Sequence, residues 1–381
     1  KESNMKFSLV FAAFQACLLS SSNTVVVYGL SSIPYPGVST TRGPQQQQQQ
    51  DTSSTSSLQK LPWKQEGYQS WDWNGKHVNY IEMGAPDSSS SEDKPALLLI
   101  HGFGASAYHF RYNIPELAKK YHVFAFDMLG FGLSDKPLQE YPAEVWKDQT
   151  IDFMQQIIQK PVTLAGNSLG GFTALYAAAE CAKATNNDLS TMVNGCILMN
   201  SAGEFRMDEQ QDSNSHSFEA PQWLQRVQES VQKFVINASF VYTKQPARIE
   251  QVLKQVYPAN SDMVDADLVE SIQFPSLHPN AASVFLSVIS QAGKRTTYVD
   301  DLLEDVHCPI LLCWGKDDPW IRPQVADKIQ LVKPHGVHRV TIDAGHCPHD
   351  EAPFAVNAAI VDFMEQHVAA ADVDVAVAVA V

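Results

Sequence analysis

The sequence has no CxxC pair, and its six cysteines (Cys17, Cys181, Cys196, Cys308, Cys313, Cys347) are scattered, with no histidine at zinc-ligand spacing. Neither a disulfide scaffold nor a structural metal site is therefore expected. There is no Lys/Arg-rich run, and 27 basic against 42 acidic residues leave a net charge of -15. A chain without clustered cations is poorly suited to neutralising phosphates, so no nucleic-acid partner is expected. The GxGxxG spacing of a dinucleotide site is missing too, because Gly102-Phe103-Gly104 lacks a third glycine three residues on. No cofactor is implied. The apolar run from Phe7 to Leu19 is too short to cross a bilayer, so no stable membrane span is expected in the mature protein.

What is present is an ordinary globular composition, 44% hydrophobic and 18% charged over 381 residues, enough to bury a large core. The run 7–19 behind Met5-Lys6 reads as a secretory-type signal with a cut after Gly29, and Lys1 to Asn4 read as an upstream extension. Residues 30 to 60 are rich in Ser, Thr, Pro and Gln, include the run of glutamines 45–50, and are too polar to fold. Residues 1–60 are thus expected to be presequence and linker, and the Val/Ala/Asp alternation of 369–381 a flexible tail.

Between these ends, short β-rich runs alternate with helical patterns, which predicts an α/β fold with a mostly parallel sheet covered by helices on both faces. Residues 96–100, 122–127, 161–165, 193–199, 309–314 and 338–342 read as strands, and 143–159 as a helix stopped by Pro161. About a hundred residues separate the strands 193–199 and 309–314, too many for a plain connection. Leu224, Val227, Val231, Phe234 and Val235 trace one helical face there, and Leu253, Val256, Leu268 and Ile272 suggest two more helices. The expected organisation is a core of 61–205 and 301–368 with an inserted helical cap of 206–300.

One five-residue pattern carries the chemistry. Gly166-Asn167-Ser168-Leu169-Gly170 sits between an apolar strand and an Ala-rich helix, the context of a nucleophile elbow. A serine hydroxyl needs a base, and the base needs an acid to orient it, in the order Ser, Asp, His. The strand 309–314 runs into Asp317-Asp318-Pro319, and the strand 338–342 into Asp343-Ala344-Gly345-His346. Asp318 is favoured because Pro319 fixes the backbone beside it, with Asp317 the alternative; His346 is favoured over His349. Two backbone donors must meet the oxyanion, and Leu169 and Phe103 are the candidates. His101 and Asp127 read as structural, and Cys347 as a packing residue.

With these pieces assembled, the chain resembles the plastid-type α/β-hydrolases related to pheophytinase and chlorophyll dephytylase. The resemblance rests on HGFGASAYHFRYNIPELAKKYHVFAFDMLGFGLSDK (101–136), GNSLGGFTAL (166–175), WGKDDPW (314–320) and AGHCPHDEAP (344–353). It departs in the polar insertion Ser88 to Lys94, the segment Ala182 to Leu189 and the long N-terminus. The resemblance implies a Ser168, Asp318, His346 triad, an oxyanion hole at Phe103 and Leu169, and hydrolysis of a lipophilic small-molecule ester, a chlorophyll-derivative phytyl ester being the sharpest candidate; a carbon–carbon bond hydrolase of the same fold and a slow-turnover ligand receptor retaining the triad are the alternatives. It also implies a plastid location through a two-part presequence. Secretion is the alternative, with Asn237-Ala238-Ser239 as a glycosylation acceptor. Trp223, Phe234, Phe240, Tyr242, Tyr257, Phe274 and Phe285 are candidates for an apolar pocket, only some of which are expected to face it.

Overall fold

In the computed structural model the described residues are 58–63, 68–85, 94–185, 187–206, 240–292 and 297–368. The expected signal, the glutamine run, the first cap helix face, the Asn237 acceptor and the C-terminal tail lie outside them.

Eight strands form one sheet: β1 (Tyr68–Trp73), β2 (Lys76–Met83), β3 (Ala96–Ile100), β4 (His122–Phe126), β5 (Val162–Asn167), β6 (Val193–Met199), β7 (Ile310–Gly315) and β8 (Val337–Ile342). Their order is β1-β2-β4-β3-β5-β6-β7-β8. β1, β2 and β4 pair antiparallel, and every pairing from β4 across to β8 is parallel. The mostly parallel sheet expected from the sequence is therefore present.

Alternation along the strands explains why they read as unbroken apolar runs. Leu98, Ile100, Phe124, Phe126, Leu164, Leu198, Leu312 and Trp314 belong to one apolar layer. Their neighbours Leu97, Leu99, Val123, Ala125, Ala165, Ile197, Met199, Leu311 and Cys313 belong to the other. Both faces are buried, as a parallel sheet requires. The first layer packs on α1 (Ala143–Phe153), α2 (Leu169–Ala182), α6 (Val299–Asp305) and α7 (Gln324–Val332). The second packs on α8 (Pro353–Phe363) through Val356, Ala359, Ile360 and Phe363. Between β6 and α6 lie α3 (Pro246–Val256), α4 (Ala266–Ser276) and α5 (Ala281–Ala292). Leu253 and Val256 fall on α3, Leu268 and Ile272 on α4, the two helices their spacing suggested.

The helix expected over 143–159 is present. α1 continues into a wider π-type turn, Met154–Ile158, and ends where Gln159 turns left-handed at φ 55°, donating its N–H to Met154 O.

Strand order places the site. The chain leaves β3 towards β4 on one side and returns to β5 on the other, so the carboxyl ends of β3 and β5 open onto a crevice between diverging connections.

Candidate active site

Ser168 follows β5 directly and starts α2 with φ 54° and ψ −118°, a backbone that L-residues rarely adopt. Three bonds hold it there: its N–H donates to Met199 O at 3.0 Å, and its carbonyl accepts from Ala202 N–H at 2.9 Å and Phe172 N–H at 3.2 Å. The turn is so tight that a Cβ on Gly166 would strike Gly170 O, and one on Gly170 would strike Ile100 O and lie 2.5 Å from His101 O. The flanking glycines of the motif are thus required by close backbone approach. Leu169 is the first residue of α2, so its N–H has no acceptor within the helix and shares the positive end of the helix dipole.

The loop after β3 brings up Phe103. Gly102, just before it, lies so near the elbow that a Cβ there would be 3.3 Å from Ser168 Cβ. His101 is spent on shaping this loop: its Nε2 accepts Met128 N–H at 3.0 Å, which leaves Nδ1–H to donate to Gly102 O at 2.7 Å. Burial holds its pKa below the usual histidine value. Asp127 is likewise committed, accepting from Ala107 N–H, Leu133 N–H and Asn79 Nδ2.

His346, beyond β8, and Asp318, beyond β7, are both 4% exposed. His346 Nδ1 lies 2.8 Å from Asp318 Oδ2. Asp317, by contrast, faces solvent. Asp318 Oδ1 also accepts Trp320 N–H at 2.7 Å and Ile321 N–H at 3.0 Å, which keeps the carboxylate in place. The Trp320 ring rests 4.8 Å from the His346 ring. Asn167, the residue before Ser168, donates from Nδ2 to His346 O at 2.9 Å and to Met199 O at 3.0 Å, tying the loop of His346 to the turn of Ser168. His349 lies elsewhere, buried with its ring 4.7 Å from His109 and 4.6 Å from Phe110.

Sequence reasoning missed Asn200. Its Nδ2 donates to Asp318 Oδ2 at 2.6 Å and its Oδ1 accepts Gly315 N–H at 2.9 Å, so it locks the acid to the end of β7. It too has a left-handed backbone, φ 43°. An asparagine directly after an apolar strand was the one available signal, since Asn tolerates that region better than most residues.

The pocket candidates divide. Phe103, Phe131, Phe285 and Phe240 form a connected aromatic column, with ring centroids 5.5 Å apart for Phe103–Phe131, 5.3 Å for Phe103–Phe285 and 5.2 Å for Phe240–Phe285. The column runs from the loop of Phe103 to α5. Tyr257 is instead fully buried in a polar network, Tyr242 sits at the surface against Arg248, and Phe274 is 47% exposed. Trp223 and Phe234 lie outside the described residues. Cys347 is buried among Ile249, Leu253, Val256 and Leu268, the packing role expected for it. Among the described residues no group of three or more His, Cys, Asp or Glu could hold a metal ion, and no helix is long and apolar enough to cross a membrane.

Residues 95–353 match the model of the alpha/beta hydrolase fold family. The chain belongs to that family. A chloroplastic pheophytinase of Arabidopsis thaliana is 30% identical over 325 residues, 75% of this chain and 64% of the plant protein. The chain thus spans under two thirds of that relative's length. Lipase 1 of Psychrobacter immobilis is 26% identical over 258 residues, 67% of this chain and 72% of the lipase. Among solved structures, a serine hydrolase involved in carbazole degradation superposes with a TM-score of 0.60 at 22% identity, covering 78% of this chain and 98% of that one. This alpha/beta hydrolase has the eight-stranded sheet and the strand-to-helix elbow of its fold.

Proposed function

We propose that this protein is a serine hydrolase that cleaves a carboxylic ester of a lipophilic small molecule. The observation that carries the proposal is the buried His346–Asp318 pair, bonded through Asn167 to the flank of a strained Ser168. Ser168 Oγ attacks the ester carbonyl while His346 takes its proton, and Asp318 holds the Nδ1–H tautomer and steadies the imidazolium. The oxyanion is received by the N–H groups of Leu169 and Phe103. His346 then returns the proton to the departing alcohol oxygen, and water repeats the sequence on the acyl-Ser168 carbonyl to release the acid.

The aromatic column of Phe103, Phe131, Phe285 and Phe240 supports an apolar substrate, and so do the relatives named as a pheophytinase and a lipase. A phytyl ester of a chlorophyll derivative is the substrate we assign first. The chloroplastic relative also supports a plastid location, reached through residues 1–60, which fluorescence of a full-length fusion would test. We assign 206–300 as a cap over a core of 61–205 and 301–368.

The test is a fluorophosphonate probe combined with a panel of aryl esters, pheophytin and a dienol ketone. Labelling of wild type but not of Ser168→Ala, with turnover of esters, is expected. Turnover of the dienol ketone alone would instead assign carbon–carbon bond hydrolysis, and an unlabelled wild type would remove the serine-hydrolase reading.

A further inference from the structure

Val256–Asn260, the turn that leaves α3, is bound directly to the loop carrying His346. Val256 O accepts the His346 N–H itself at 3.0 Å. Glu351 spans the two segments: Oε1 accepts Ala259 N–H at 2.6 Å and Asn260 N–H at 2.9 Å, while Oε2 accepts Gly345 N–H at 2.5 Å. The approach is close, since a Cβ on Gly345 would strike both Val256 O and Pro258.

A second link lies beneath the first. Tyr257 Oη donates to Asp350 Oδ2 at 2.9 Å and lies 2.7 Å from His109 Nε2. The phenol has one proton and gives it to the carboxylate, so His109 Nε2–H donates to Oη. Asp350 is gripped again by Arg111, through Nε at 2.8 Å and a second nitrogen at 3.2 Å. Arg111 in turn holds Asp265, the N-cap of α4, at 2.6 Å and Met263 O at 2.6 Å. Tyr257 and Asp350 are fully buried, so these bonds are made away from solvent screening. Cys347, the residue after His346, is packed into the small apolar cluster of α3 and α4.

The backbone on both sides of His346 is therefore held by the segment inserted between β6 and β7 as well as by the sheet. We infer that Tyr257 and Glu351 are positioning residues for the base, so that the inserted helices set the aim of His346 besides covering the site. This inference rests on the serine-hydrolase reading above. Neither residue touches the reacting atoms; each acts by fixing the loop 345–351, and a base misaimed by a fraction of an ångström slows proton transfer without weakening substrate binding.

The experiment uses the full chain with Tyr257→Phe, which keeps the ring and removes the hydroxyl, and Glu351→Gln. The turnover of p-nitrophenyl butyrate and the rate of Ser168 labelling by a fluorophosphonate are measured on each, with near-UV circular dichroism as the check of folding. In both variants kcat and the labelling rate are expected to fall about tenfold, with KM within about twofold of wild type and labelling still reaching completion. Wild-type rates in both variants, or a higher KM at unchanged kcat, would overturn the inference. If Tyr257→Phe fails to fold, Glu351→Gln carries the same measurement. A wild type that does not label would remove the serine-hydrolase reading itself, a result distinct from wild-type labelling that the variants leave unchanged.

Discussion

Asp318 Oδ2 and His346 Nδ1 lie 2.8 Å apart between two strand ends, and Asp317, one residue away, faces water instead. Asp318→Asn is expected to lower kcat by about 10³–10⁴, because an amide disturbs the His346 tautomer, whereas Asp317→Asn is expected to stay within about twofold of wild type. Steady-state kinetics on a soluble aryl ester separate the two.

Asn200 donates to the same carboxylate and accepts from the buried Gly315 N–H. Asn200→Ala leaves both groups short of a partner, with a destabilisation of about 1–3 kcal/mol and a fall in kcat of about tenfold. The urea midpoint and kcat should therefore both drop; a change in neither would show that Asn200 does not hold the acid.

Gly170→Ala sets two effects against each other. Alanine favours a helix over glycine by about 1 kcal/mol, but here its Cβ would run into Ile100 O and His101 O, both backbone atoms that cannot move aside. The clash is expected to win, costing at least about 3 kcal/mol or leaving no folded protein. A melting temperature at or above wild type would contradict the close approach of β3 and α2.

Two buried histidines contribute to acid lability. Burial pushes His109 down to about 3 and His349 well below the usual histidine value. Both are neutral in the folded protein and gain protons on unfolding, so their contribution to stability is whole above about pH 6.5 and is lost as pH falls towards their folded values. The slope is roughly 1.4 kcal/mol per pH unit for each histidine in that window. Asp350, raised by burial, works in the opposite sense in the lower part of it. His349→Phe, which keeps a ring against Phe110, should flatten the fall in urea midpoint as pH drops below about 6.5.

Phe285→Ala breaks the aromatic column between Phe103 and Phe240. KM for long-chain p-nitrophenyl esters is expected to rise about tenfold while the acetate ester is little changed. An equal effect on both chain lengths would place the substrate chain elsewhere.

The elbow and the strands were legible because their signals are local. A continuous apolar run such as Ala96–Ile100 needs both sheet faces covered, and the glycines around Ser168 announce a tight turn before any partner is known. The aromatic residues were not legible in the same way: Tyr257 and Phe285 share the pattern of helical spacing, yet one is bonded into a polar network and the other lies against the Phe103 ring. Asn200 escaped notice because its task exists only where β6 lies beside β7, more than a hundred residues on.

What the sequence determined by itself is the class of sheet, the strained serine between strand and helix, and the ordered acid and histidine, since each follows from residue type and near neighbours. The sequence favoured Asp318 over Asp317, but only tertiary structure brings Asp318 to His346 and makes the turn Val256–Asn260 grip the loop bearing it. Both depend on segments far apart in the chain meeting at one edge of the sheet, the first at two strand ends and the second at the end of α3, and that meeting is set by packing.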